Sequence, residues 1–149
     1  MADETETAGD GWPPIGFLIR KFYQKNQALW QAMCPDAQMT SVQSAALSSI
    51  QRLGPCSLTE LGREAAMDPA TTRGVVERLR QRGMISLLDD PADKRKVIVR
   101  LEPVAQRYLQ TVAPVMPRIT DGTLRPLNIA ERLALEFLLL KVTEADDSE

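Results

Sequence analysis

Apolar residues at Ile15, Leu18, Ile19, Phe22, Leu29, Trp30 and Met33 repeat with a period near 3.6, which predicts a first helix from Ile15 to about Met33. Phe17 and Tyr23 widen its apolar stripe, so burial on more than one side is expected. Cys34-Pro35-Asp36 ends it. Val42, Ala46, Leu47, Ile50 and Leu53 line one face of a second helix, with Thr40 and Gln43 at capping-box spacing at its start and Gly54-Pro55 at its end. A second capping box, Ser57 to Glu60, opens a short third helix to about Ala66, with Leu58, Leu61 and Ala65 facing inward. Asp68-Pro69 then supplies the N-cap and first residue of a fourth helix to about Arg82, and Gly83 suits the position after its end.

In that fourth helix Val75, Val76 and Leu79 are the apolar positions. A step of about 100° per residue puts Ala70, Arg73, Glu77 and Arg80 on the opposite face. Its first half holds small residues, Ala70, Thr71, Thr72 and Gly74, which permit close approach to a groove. Met84 to Leu88 and Val97 to Leu101 alternate as two strands. Between them Asp89-Asp90-Pro91-Ala92-Asp93-Lys94-Arg95-Lys96 reads as a turn with a charged tip. Helix, short turn, helix and basic hairpin is the order of a winged helix-turn-helix, an architecture that reads DNA.

The remainder is helical again. Val104 to about Thr120 reads as a fifth helix that Pro114 and Pro117 kink or end. Asn128 and Glu131 mark the start of a last helix to about Val142, with Ile129, Leu133, Phe137 and Leu140 on one face and Leu138 and Leu139 in excess of one stripe. The expected fold is therefore mostly α with a small β-hairpin. A winged helix-turn-helix domain spans 37–103, and helices from both chain ends, 12–36 and 104–143, form an α-helical dimerisation region. Residues 1–11 read as a disordered acidic tail and 144–149 as a second acidic tail. Apolar helix surface at both ends is most simply used in an intertwined homodimer.

Composition removes several function classes. The chain has 149 residues, about one domain, and no histidine, which discounts zinc hydrolases, zinc fingers and His-based triads. No metal and no cofactor is expected, nor a Gly-rich phosphate loop or a paired-carboxylate site, so an enzyme is not expected. Two cysteines do not make a disulfide framework. The acidic start, Met1-Ala-Asp-Glu-Thr-Glu, is neither a signal nor a transit peptide, and no apolar run is long enough to span a bilayer, so the expected location is the cytoplasm. A net charge of −2 hides a polarity: residues 73–107 hold nine Arg or Lys against five Asp or Glu, a net of +4, and the other residues nine against fifteen, a net of −6.

Two stretches carry a resemblance to a known family. The hairpin from Asp89 to Leu101 resembles the wing signature of the MarR family, the multiple-antibiotic-resistance-regulator type of winged-helix repressor: Asp-Pro, then Asp-x-Arg, then an alternating strand. Val75-Val-Glu-Arg-Leu-Arg-Gln-Arg-Gly-Met84 resembles the family's end of recognition helix, Gly and strand start. The similarity covers about residues 15–143. It implies a homodimer on an inverted-repeat operator in double-stranded DNA, with the fourth helix in the major groove and the wing at the adjacent minor groove. It also implies a small-molecule or redox input that changes the spacing of the two recognition helices. One departure is Gly74, where many members carry a second polar residue, so base readout is expected to rest on Arg73 and Thr72.

The candidate DNA-binding residues are thus Ala70, Thr71, Thr72, Arg73, Arg78, Asp93, Lys94, Arg95 and Lys96. Arg73 is expected on a guanine edge, and Thr71 and Thr72 on phosphate or a thymine methyl, or simply at the helix start. Arg78 is expected to brace the backbone or the wing, Arg95 to enter the minor groove and Lys94 and Lys96 to meet phosphate. Asp93 is expected to hold the Arg95 guanidinium. Arg20 among aromatic neighbours suits an aromatic carboxylate or phenolic effector, with Tyr23 and Trp30 as further ligand-binding candidates. The alternatives are a cysteine-based redox regulator, for which neither Cys34 nor Cys56 stands where the family's peroxide sensors carry theirs, and a winged-helix module that binds a protein partner. The basic tip argues against the latter.

Overall fold

In the computed structural model, which describes residues 11–144, the elements follow in the order α1 (Ile15–Met33), α2 (Ser41–Leu53), β1 (Cys56–Ser57), α3 (Leu58–Glu64), α4 (Pro69–Gln81), β2 (Ile85–Asp89), β3 (Val97–Leu101), α5 (Pro103–Val112), α6 (Val115–Thr123) and α7 (Ile129–Glu144). This is a winged helix within a mostly helical chain. The tails expected at 1–11 and 144–149 lie outside the described residues, apart from Gly11 and Glu144 at their edges.

Local signals place the helix starts. Thr40 accepts the Gln43 amide (3.1 Å) while the Gln43 side chain accepts the Thr40 amide (3.0 Å). Ser57 and Glu60 repeat the exchange at α3, and Asn128 and Glu131 make a comparable one at α7. The starts of α2, α3 and α7 are thereby closed without tertiary help. Gly83, at φ 68°, takes the left-handed conformation that ends α4.

Around α2 the core is contiguous. Ala46, Leu47 and Ile50 are buried with Leu61, Val75, Val76, Leu79, Met84, Ile85, Val99, Ala105, Tyr108 and Leu109. The helix-turn-helix closes tightly: the Met67 amide donates to the Gly62 carbonyl (2.8 Å), and a side chain at Gly62 would sit 2.9 Å from the Thr72 Oγ1 and 3.1 Å from the Met67 carbonyl. The sheet has three strands rather than the expected two, in the order β1-β3-β2, all antiparallel. Two residues of β1, with Cys56 opposite Val99, cover the second edge of β3. Ile85 pairs with Leu101 and Asp89 with Val97, so the hairpin loop is 90–96.

The expected fifth helix is two helices. The break falls at Pro114, which cannot donate to the helical ladder and leads into α6. Pro117 interrupts nothing, because it stands in the first turn of α6, where its missing N–H would have had no partner. α6 packs on α1. The Asn26 amide donates to Thr123 Oγ1 (3.1 Å), and Gly122 lies so close to Leu29 that a Cβ would be 3.0 Å from a Leu29 methyl.

α1 and α7 differ from the rest. Only Trp30 of α1 is buried, and no residue of α7 is. Ile15, Phe17, Ile19, Phe22, Tyr23, Ile129, Leu133, Phe137, Leu138 and Leu140 are all exposed. Arg132 joins α7 to the preceding segment, through Asp121 (2.8 Å) and the Leu127 carbonyl (3.2 Å). No helix among the described residues is long and apolar enough to cross a membrane.

Candidate nucleic-acid interface

The starts of α3 and α4 and the returning strand of the wing converge on one groove. Ser57, Thr59, Glu60, Pro69, Arg73, Arg95 and Lys96 line it, and its volume is about 660 Å³. Asp68 sets the start of α4: its carboxylate accepts both the Thr71 amide and the Thr71 hydroxyl, each at 2.8 Å. Those bonds hold the Asp68 carboxyl below the usual carboxylate range. Ala70, Thr71, Arg73 and Arg78 are exposed on α4, opposite Val75, Val76 and Leu79.

Thr72 does not belong with them. It is 2% exposed, and its hydroxyl donates to the Asp68 carbonyl at 2.8 Å. The expected contact to phosphate or thymine is therefore corrected: Thr72 is a packing residue at the helix start. The spacing carried the signal, since 72, 75, 76 and 79 stand at i, i+3, i+4 and i+7 of one buried stripe. A threonine in that stripe stays buried because its one donor finds a carbonyl a turn earlier.

Arginines on α4 are not equivalent. Arg80 is held by Glu77 through two bonds, Nε at 3.0 Å and Nη2 at 2.8 Å. That pairing lowers the Glu77 carboxyl and raises the Arg80 guanidinium. Among the described residues Arg73, Arg78, Lys94, Arg95 and Lys96 make no ion pair and are exposed; of these Arg73, Arg95 and Lys96 line the groove, where they outnumber the carboxylates of Glu60 and Asp90. Phosphate is the ligand class that such unpaired, clustered cations fit.

The wing tip is knitted by its aspartates. The Asp90 carboxylate accepts the Ala92 amide (2.9 Å), the Asp93 carboxylate accepts the Arg95 amide (3.0 Å), and the Lys96 amide donates to the Asp93 carbonyl (2.9 Å). Asp93 thus bonds the backbone of Arg95, not its guanidinium as expected. A carboxylate two residues back reaches the nearby N–H sooner than the far end of a long side chain. The loop is ordered and the Arg95 side chain stays available. Several groove residues are absent from the expected set, among them the polar Ser57, Thr59, Glu60 and Asp90. Ser57 was legible only as a cap, because nothing local says that the wing folds over it.

Arg20 and Tyr23 stand one turn apart on α1 and are both exposed. Trp30 does not join them. Ten residues beyond Arg20 on one helix, it lies about 15 Å further along the axis. It is 4% exposed, with its indole N–H donating to the Met39 carbonyl at 3.0 Å. It lines a separate cleft of about 170 Å³ with Gln27, Gln31, Cys34 and Asp36. A single small aromatic acid cannot meet all three within one chain. Among the described residues no group of three His, Cys, Asp or Glu is placed to hold a metal. Cys56 is buried, and burial first, then Glu60, pushes its thiol up, away from the reactive thiolate.

Comparison with known proteins places this geometry. Residues 39–97 match the MarR family model. The HTH-type transcriptional repressor NicR of Pseudomonas putida is 39% identical over 134 residues, 90% of this chain and 85% of that protein. The solved structure of Bordetella bronchiseptica BpsR, whose DNA binding is regulated by 6-hydroxynicotinic acid, superposes with a TM-score of 0.81 at 39% identity, over 87% of this chain and 98% of that one. A mutant MarR from E. coli complexed with operator DNA superposes with a TM-score of 0.80 at 26% identity, over 87% and 93%. These relatives are transcriptional regulators, not enzymes. With the winged helix, its basic groove and relatives that run the length of the chain, the protein belongs to the MarR family of DNA-binding transcriptional regulators.

Proposed function

We propose that the protein is a homodimeric repressor of an inverted-repeat operator, released by a small hydroxylated aromatic carboxylate of the 6-hydroxynicotinic acid kind. The observation that carries this reading is the cationic groove where Arg73 of α4 meets Arg95 and Lys96 of the wing. Arg73 then reads a major-groove edge, with Ala70 and Thr71 at close approach. Arg95 enters the minor groove, and Arg78, Lys94 and Lys96 meet phosphate.

Dimerisation is supported by the uncovered apolar faces of α1 and α7, which are too extensive to remain in water on a folded regulator. On this reading 12–36 and 104–143 form the dimerisation region and 37–103 the DNA-binding domain. Half-sites lie about one helical turn apart. The repressor reading draws on the similarity to NicR, and the effector class on BpsR. In this chain Arg20 and Tyr23 offer a bidentate cation and a ring, the two elements an aromatic carboxylate needs.

Fluorescence anisotropy on DNA from upstream of the protein's own gene tests the reading. Sequence-selective binding that weakens when 6-hydroxynicotinic acid is added is the expected result. Binding that random DNA competes equally would sink the operator reading, and binding indifferent to the acid would sink the effector class alone.

A further inference from the structure

Arg82 is the last residue of the α4 region and plays no part in the groove. It caps α4, and its guanidinium pairs with Asp36 in the loop between α1 and α2, 46 residues away. Both side chains are only 28% exposed. Asp36 is itself fixed: its other carboxylate oxygen accepts the Gln38 amide (2.9 Å), and its carbonyl accepts the Met39 amide (3.0 Å) and the Cys34 thiol (3.3 Å). Pro35 before it restricts the backbone. The Arg82 guanidinium also lies 4.0 Å from the Met39 sulfur, and the carbonyl of that same Met39 takes the Trp30 indole N–H. The guanidinium beside Asp36 holds its carboxyl below the usual range, so the pair is charged at neutral pH.

These contacts form a continuous path from α1 to the end of the recognition helix. Elsewhere the two helices look to different neighbours. α1 packs chiefly on α6, and α4 packs on α2, α3 and β2. We infer that the Asp36–Arg82 pair ties the recognition helix to α1 and so sets the spacing between the two recognition helices of the dimer, with Arg82 as a positioning residue that does not touch DNA. The inference rests on the dimeric reading above and adds to it the residues that transmit the spacing. Arg82 stands thirteen residues after Pro69, about 20 Å along the axis from the helix start that meets the groove.

A positioning role and a phosphate contact differ in one measurable respect. A phosphate contact strengthens every bound half-site, whereas a spacing tie matters only when two half-sites are engaged together. The test measures full-length protein by anisotropy on the two-half-site operator and on the same duplex with one half-site scrambled. Arg82→Ala is expected to lose about fivefold on the intact operator and to stay within about twofold on the single half-site. Asp36→Asn, neutral and nearly isosteric, carries the same expectation and serves if Arg82→Ala does not fold. Arg82→Lys should retain most of the affinity, and Asp36→Arg combined with Arg82→Asp should recover part of it. Equal loss on both duplexes, or no loss on either, would overturn the inference. If wild-type protein binds both duplexes equally well, the two-half-site reading itself fails and the tie has no spacing to set.

Discussion

In α4 the four positions Thr72, Val75, Val76 and Leu79 are all covered by their own chain. In α7, which is three residues longer and far richer in leucine, no residue is. The two helices face different problems. α4 needs one narrow stripe inward so that its opposite side can carry Arg73 outward, and α2, α3 and β2 supply that cover. α7 presents Leu133, Phe137 and Leu140 on one side and Leu138 and Leu139 on others, and the described chain leaves all of them exposed. On the dimeric reading proposed above, the helix surface left open on α7 is where a second chain packs, whereas the buried stripe of α4 fixes the helix that carries Arg73.

That contrast can be broken at either helix, and the largest effect is expected at α7. Phe137→Glu places a charge on the face assigned to the dimer. Losing a buried phenyl is worth about 1.5–3 kcal/mol in each subunit, so dimer affinity should fall more than about a hundredfold. Light scattering after gel filtration reads the change, and a variant that remains a stable dimer at micromolar concentration would remove α7 from the interface.

At the reading head Arg73→Ala should weaken operator binding by about 1–3 kcal/mol and relax preference at one base pair per half-site. Competition with single-base operator variants decides it, since uniform weakening would mark Arg73 as a phosphate contact. Arg95→Ala, by contrast, should weaken binding to all sequences and reduce the salt slope by about one.

Comparable in size, but falling on stability and not on DNA binding, is the effect of Gly62→Ala, which tests the closeness of the turn and not the charge. Its methyl would fall 2.9 Å from the Thr72 hydroxyl and 3.1 Å from a backbone carbonyl. Overpacking there should cost about 1–3 kcal/mol and lower the melting temperature by several degrees, with no shift if the turn can open. The smallest effect on DNA is expected from Thr72→Val. It removes a bond worth about 1 kcal/mol of stability and should leave operator affinity within about twofold. A loss as large as that of Arg73→Ala would return Thr72 to the interface.

Most of the fold was legible in the sequence because its signals are local. A capping box needs only residues three positions apart, and Thr40 with Gln43 and Ser57 with Glu60 formed as expected. The inward stripes of α2 and α4 follow from helical period, and the wing from alternation around Asp-Pro. What failed, failed for nameable reasons. Pro114 and Pro117 looked alike, but whether a proline breaks a helix depends on which turn it falls in. Asp93 and Arg95 were rightly associated and wrongly bonded, because opposite charge outweighed the nearer backbone N–H.

By itself, then, the sequence determined the order and ends of most helices, the existence of the wing and the concentration of positive charge around it. Each depends on residues within a turn or a hairpin of one another. Only the tertiary structure decided that Cys56 and Ser57 pair with β3, that the Trp30 indole meets the Met39 carbonyl, and that Arg82 reaches Asp36. Those outcomes depend on which surfaces meet after the chain has folded back on itself. That is a property of packing between distant segments, on which no local spacing reports.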